Sequence, residues 1–133
     1  MLVTGAGIWC LAIVAAPLFQ LTPVYLFFST ICHQLPDRSW HLHGEPFAAC
    51  IRCTSIYVGF LAGLLVFRKP HVQWFKLSAA ITLMEWLLAA AFFDSEMLRV
   101  LSGVLLGAMA APIVRTGVEE MLMRGVRTAH ESM

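Results

Sequence analysis

Apolar residues run almost unbroken from Gly5 to Phe19, from Cys50 to Phe67, from Val72 to Phe93 and from Met97 to Val114, with polar or turn-forming residues between the runs. A helix needs about 20 predominantly apolar residues to cross the hydrocarbon core of a bilayer. The pattern therefore predicts an all-α, integral membrane four-helix bundle as one membrane domain, with spans at about 5–20, 50–67, 72–93 and 97–114. Gln20, Thr22 and Pro23 end the first run. Val24 to Ile31 is too short to cross, so it either lies at the interface or continues the first helix past a kink, because proline removes a backbone donor.

Residues 32–49 form a polar loop between the first and second spans. Ser39 to Phe47 alternates, with Trp40 and Leu42 on one side and His41 and His43 on the other, and Gly44-Glu45-Pro46 supplies turn chemistry. A short hairpin is the expectation. Gly59 and Gly63 in the second span, and Gly103, Gly107 and Ala111 in the fourth, recur at four-residue spacing. Small residues at that spacing let helix backbones approach closely, which predicts tight packing of these two spans or an oligomer contact. In the tail, 115–133, Val118, Met121, Leu122 and Val126 alternate with charges, predicting an amphipathic helix on the membrane surface.

Composition agrees with a membrane protein: 59% of residues are hydrophobic and 13% charged, where a soluble domain carries about 25% charged. Mean hydropathy is +0.78. The net charge of +1, with no basic patch among aromatics, argues against nucleic acid as a partner. No Lys or Arg precedes the first apolar run, so a retained span is expected there rather than a signal peptide. Arg68, Lys69, Lys76, Arg115, Arg124 and Arg127 fall on one side of a four-span arrangement. On the other side Arg38, Arg52 and Arg99 are diluted by Asp37, Glu45, Asp94 and Glu96. The positive-inside rule then places both termini in the cytoplasm and the cysteine loop outside.

The chemistry concentrates in that loop. Three of the four cysteines and three of the five histidines lie between Cys32 and Cys53. Cys10 sits alone in the first span and reads as a small buried hydrophobe. Cys50-Ile51-Arg52-Cys53 is a CxxC at a helix start, where free N–H groups, the helix dipole and Arg52 all favour a thiolate. Such a pair can hold a soft metal or cycle between dithiol and disulfide. Cys32, Cys50 and Cys53 with one histidine would make a four-coordinate site of the kind zinc prefers, and iron or copper can also use one. His33 is the first candidate for the fourth ligand, with His41 and His43 as alternatives. Arg38 and Arg52 are candidates to stabilise thiolates or hold an anion, and Arg38 is otherwise a headgroup-level surface charge. Glu85 stands inside an apolar run, where a carboxylate is costly and usually has a partner or a function. It lies about 12 Å below the outer end of its span, within reach of an inward-pointing Arg99 or Arg52, or in position to relay protons or ions.

Cys32-His33-Gln34, Pro36-x-Arg38-Ser39, Gly44, Cys50-x-Arg52-Cys53, Ile56-Tyr57 and Gly59 resemble the signature of a family of small prokaryotic membrane proteins, the domain of unknown function number 2085. Arg99-x-x-x-Gly103-x-x-x-Gly107 is similar to that family's last span, and the resemblance covers about Tyr25 to Ala111. Ser55 departs from it where glycine is usual, and Glu85 stands near where aspartate is common. The resemblance implies a prokaryotic inner or plasma membrane location and a thiol-rich site, and it brings no activity with it.

Three functions fit this pattern. The foremost is a membrane protein with a Cys/His metal site, most readily zinc or iron, at the outer end of the second span. The second is a thiol–disulfide oxidoreductase coupled to a quinone through Cys50 and Cys53, in which Cys32 passes electrons to substrate. The third is a partner- or lipid-binding protein with a structural disulfide from Cys32 to Cys50 or Cys53.

Overall fold

In the computed structural model, residues 1–91 and 95–131 are described, the side chains of 125–131 excepted. The expected ends of the third span at Phe93 and of the tail at Met133, the connection residue Asp94, and the Arg127 side chain lie outside the described residues. Helix α1 covers Leu2–Phe19, α2 Thr22–Ser29, α3 Ile51–Val66, α4 Val72–Ala91 and α5 Glu96–Glu131. A single 3-10 turn (Pro36–Arg38) and a two-stranded hairpin, β1 (His41–Leu42) and β2 (Glu45–Pro46), fill the loop between α2 and α3.

α1 stops because Gln20 turns left-handed at φ 48°, its N–H donating to the Ala16 carbonyl. Pro23, in the first turn of α2, then starts a new helix, a position where its missing N–H is harmless. The stretch before the loop is therefore a separate eight-residue helix, about 12 Å long and unable to cross a bilayer. It folds back on α1: the Trp9 ring meets Phe27 edge-on at 4.9 Å and Phe28 at 5.2 Å.

Among the described residues three helices are long and apolar enough to cross a membrane, namely α1, α4 and the Glu96–Arg124 part of α5. Their outward faces expose Leu11, Leu18, Leu83, Met84, Leu101 and other large apolar side chains, which suits lipid and not water. The expected second span, 50–67, is the shorter α3, whose 16 residues reach about 24 Å. The tail differs from expectation in one respect: no break separates it from the fourth span. α5 runs on past residue 114, with Pro112 inside it. No proline follows Pro112 in the sequence, and the Thr116 hydroxyl donates to the Pro112 carbonyl at 2.9 Å while Arg115 pairs with Glu119 one turn on at 3.0 Å.

α3 and α5 pack backbone to backbone, as the glycine spacing predicts. A Cβ on Gly59 would lie 2.7 Å from the Val104 Cα, and one on Gly63 2.7 Å from the Ala108 Cα. From the other helix, a Cβ on Gly107 would stand 2.7 Å from the Phe60 nitrogen, and one on Gly103 2.9 Å from the Arg52 carbonyl oxygen. Even Cα–H contacts of this kind add a little attraction once the backbones are this close.

α4 attaches by polar contacts. Its buried residues are Ser78 and Glu85. The Thr82 hydroxyl donates to the Ser102 carbonyl on α5 at 3.3 Å, and the Ser102 hydroxyl donates to Glu85 Oε2 at 3.4 Å. Arg52 Nη2 from α3 donates to both Glu85 oxygens, at 2.9 and 2.7 Å. Glu85 is 7% exposed, so this carboxylate is neutralised inside the apolar layer by the arginine that the sequence places within reach.

Two expected outcomes follow from these contacts. Gly107→Val forces α3 and α5 apart and should destabilise the protein by about 1–3 kcal/mol. Gly117→Ala, where an added Cβ meets nothing within 4 Å, should be neutral or stabilise by up to about 1 kcal/mol. Helical circular dichroism during thermal unfolding in mild detergent reads both, and equal effects would refute the close-packing account. For the ion pair, Glu85→Leu or Arg52→Leu alone should cost about 3 kcal/mol, because each strands a charge, whereas the double variant should recover most of it. Additive losses in the same assay would show that the two groups do not act as a pair.

Candidate metal centre

The loop is tied down residue by residue. Cys32 follows α2 directly, its N–H donating to the Phe28 carbonyl at 2.8 Å. The next residue but one, Gln34, adopts φ 48° and sends its side-chain amide back into the protein. Gln34 Nε2 donates to the Tyr25 carbonyl at 2.8 Å and to the Ala48 carbonyl at 2.7 Å. Tyr25 donates its hydroxyl to the Pro46 carbonyl at 2.6 Å. α2, the Cys32 segment and the strand entering α3 are thus stapled together by two side chains.

The expected hairpin is present, with His41 opposite Pro46 and Leu42 opposite Glu45. His43 and Gly44 both take positive φ, 54° and 86°, the conformation that a tight two-residue turn with matching twist requires. Trp40 Nε1 donates to Glu96 Oε1 at 2.7 Å and so fixes the hairpin to the start of α5. Ala48 and Ala49 are fully buried; nothing larger would let the chain pass beneath the hairpin into α3.

Cys50 is the residue immediately before α3 and Cys53 lies in its first turn. Their side chains share a face because they are three residues apart. Cys32 joins them from the other end of the loop, and the three sulfurs lie within 4.8 Å of one another. A tetrahedral centre with metal–sulfur bonds of about 2.3 Å holds its sulfurs about 3.8 Å apart, so the group needs only a small contraction to fit. The Cys50 N–H donates to Cys32 Sγ at 3.3 Å. Cys50 itself stands ahead of the helix, half-buried beside the other two sulfurs. The donor set, soft and anionic, suits zinc, iron or copper(I).

A cavity of about 340 Å³ opens beside the sulfurs. His33, Arg38, Arg52 and Arg99 line it along with the three cysteines, and Ile31, Leu35 and Trp86 supply apolar wall. Of the expected nitrogen ligands, His33 therefore sits at the cavity, exposed, while His41 and His43 are exposed on the hairpin and line no part of it. Cys10 lies apart from the sulfur group, half-buried on α1. Glu85 stands behind the cavity wall, held by Arg52.

Gln34, Tyr25, Trp86 and Ser102 were not singled out by residue chemistry. Gln34 carried a signal in the Cys-His-Gln motif, read there only as likeness. Trp86 and Ser102 carried none, since each reaches the site only through the packing of α4 and α5 on α3.

The sequence profile of a family described as "Predicted membrane protein (DUF2085)" matches residues 32–113. An uncharacterized protein of Methanocaldococcus jannaschii is 43% identical over 44 residues, which is 33% of this chain and 28% of that one. An uncharacterized protein of Methanothermobacter thermautotrophicus is 38% identical over 71 residues, 53% of this chain and 60% of that one. The chain thus spans less than two thirds of the length of either relative. No solved structure matches. The matched segment begins at Cys32, takes in every residue of the sulfur group and its cavity but Ile31, and covers more than half of the sequence; the chain belongs to the DUF2085 family of predicted membrane proteins.

Proposed function

We propose that this protein binds a single thiophilic metal ion, zinc or iron, through Cys32, Cys50 and Cys53 at the outer face of a membrane. The observation that carries the reading is the convergence of three sulfurs, from segments 18 residues apart in sequence, with a backbone N–H donated to one of them. Thiolates so close repel one another unless a cation lies between them. Three protein ligands leave a fourth position, and His33 at the cavity edge is the nearest of the proposed histidines to fill it or to gate it. A site closed by His33 is structural and clamps the loop to α3; a site left open toward the cavity can act on a ligand.

The same three sulfurs support a second reading, in which Cys50 and Cys53 cycle between dithiol and disulfide and exchange electrons with a quinone. The closeness of the Cys50 and Cys53 sulfurs at a helix start favours that chemistry as it favours a metal. Elemental analysis of protein purified in mild detergent without chelator separates the two. About one equivalent of zinc or iron is expected, lost in Cys32→Ser and in Cys50→Ser but kept in Cys10→Ser. Metal-free protein whose Cys50 and Cys53 resist alkylation until reduced would overturn the metal reading in favour of the redox one.

The reading includes a topology. α3 is taken as a fourth crossing beside α1, α4 and α5, lengthened by the buried chain that precedes it. Four crossings with six basic residues on one side put both termini in the cytoplasm and the sulfur group outside. Green fluorescent protein fused after Met133 should then fluoresce and alkaline phosphatase fused there should be inactive. The reverse pattern would invert the topology.

A further inference from the structure

We infer that the turn joining α3 to α4, at the opposite end of α3 from the sulfurs, binds the headgroup of an anionic phospholipid through Arg68, Lys69 and Lys76, with Trp74 beside them. The inference goes beyond the metal reading and depends neither on it nor on which way the protein faces.

The level of this turn follows from the helix contacts. α3, α4 and α5 meet at Arg52, Glu85 and Ser102. Val72 lies thirteen residues before Glu85, about 20 Å along α4. The same distance along α3 reaches its last turn, and along α5 it reaches the end of the apolar run near Val114. The apolar stretches of all three helices therefore end at one level, and residues 67–71 connect α3 to α4 there.

The cations at this level have no partners of their own. Arg68, Lys69 and Lys76 fall within nine residues, and no Asp or Glu occurs between Glu45 and Glu85. All three are exposed, as is His71. None of the four has an ion pair or a side-chain hydrogen bond among the described residues. The extension of α5 at the same end is different. Residues 115–124 carry Arg115 and Arg124 against Glu119 and Glu120. Arg115 pairs with Glu119 at 3.0 Å, and Arg124 has an interaction of its own. That stretch is balanced; the turn is not.

The surroundings of the turn select a lipid over a soluble acidic partner. Trp74, in the first turn of α4, is 61% exposed, and tryptophan so placed settles at headgroup level. Lys76 stands one turn after Val72, inside the apolar run, so its carbon stem lies along apolar surface and lifts the ammonium back to the headgroups. Exposed Leu65, Val66 and Val72 flank the turn and suit acyl chains. A soluble acidic protein reaches Arg68 and Lys69, but not Trp74 and Lys76 at that depth. The Arg68 guanidinium can fork a phosphate that the two lysines attract as point charges. The phosphate of phosphatidylcholine comes with its own ammonium, so cations without partners favour a phospholipid that lacks one.

The test places the full chain in vesicles containing an equal fraction of brominated phosphatidylglycerol or brominated phosphatidylcholine and follows quenching of tryptophan fluorescence. Subtracting the signal of Trp74→Phe isolates Trp74. Its quenching should favour the anionic lipid by about tenfold in relative association constant, and Arg68→Gln with Lys69→Gln should bring the ratio close to one. Both residues are exposed and without partners, so the double variant should fold, as helical circular dichroism checks. Arg115→Gln removes a like charge from a residue that is already paired, and should keep the preference. Equal quenching by the two lipids, a preference that survives the double variant, or one lost equally in Arg115→Gln would overturn the inference. Metal content measured on the same samples should be unchanged in all these variants, so either reading can fail while the other stands.

Discussion

The close approach of α3 and α5 governs the rest of this structure. Glycine takes away the side chain that would hold two helices about 8–10 Å apart, and Gly59, Gly63, Gly103 and Gly107 do so alternately from the two sides. In a bilayer this is how helices associate, because lipid gives no hydrophobic drive between them and packing must supply the attraction. The consequence reaches the site directly. Gly103 faces the Arg52 carbonyl and the Ser55 Cβ, so the first turn of α3, with Cys53 and Arg52, is seated against the N-terminal part of α5. Ser102, next to Gly103, then receives α4, and Glu85 meets Arg52 across the junction. Without the glycines the carboxylate of one helix and the arginine of another would not share a depth in the membrane.

The loop is held by a different force. Its ends, Cys32, Ala48 and Ala49, join the apolar cluster of Ile13, Ala16 and Phe28, and three of the bonds that fix it run from side chains to backbone carbonyls, two from Gln34 and one from Tyr25. Each is worth only about 1 kcal/mol net, but each satisfies a carbonyl that would otherwise face an apolar layer. Because Gln34 is two residues from Cys32 and its partner Ala48 is two residues from Cys50, the same bonds set the separation of the sulfurs. A metal ion at the sulfurs would draw together ends that are already pinned, and so would spend little of its binding energy on ordering the loop.

How much of this could be read from the sequence depended on the range of the interaction. The apolar runs announced α1, α4 and α5, since a membrane span is a local property of composition. The glycine spacing announced the α3–α5 contact, because only one physical use of small residues at four-residue intervals is common in lipid. Glu85 announced that it needed a partner, and Arg52 is one of the two that were in reach. At residue 114 the onset of charge marks the end of the apolar run and not of the helix, because charge changes the solvent a helix prefers and nothing in the chain there breaks its hydrogen bonds. The sequence was silent on Trp86 and Ser102, whose part depends on which face α4 turns to α5, and α4 is apolar nearly all round. His41 lies in β1 and His43 in the turn that follows it, and neither lines the cavity; Trp40 ties their hairpin to Glu96 at the start of α5.

The polar groups beside the sulfurs are best understood as one electrostatic unit. Each element contributes a charge that it could not keep alone at this depth: α3 brings Arg52, α4 brings Glu85 and α5 brings the buried Arg99. Replacing such a set by apolar residues would usually leave a protein as stable or more so, so stability does not account for it. The glycines secure α3 against α5 but not α4, which is joined to both helices through Glu85. The cluster sits where the thiols are, and the loop bonds that position Cys32 also close one side of the cavity into which the arginines open. Charges that are costly to bury thus join three helices at one point, and that point lies beside the three sulfurs.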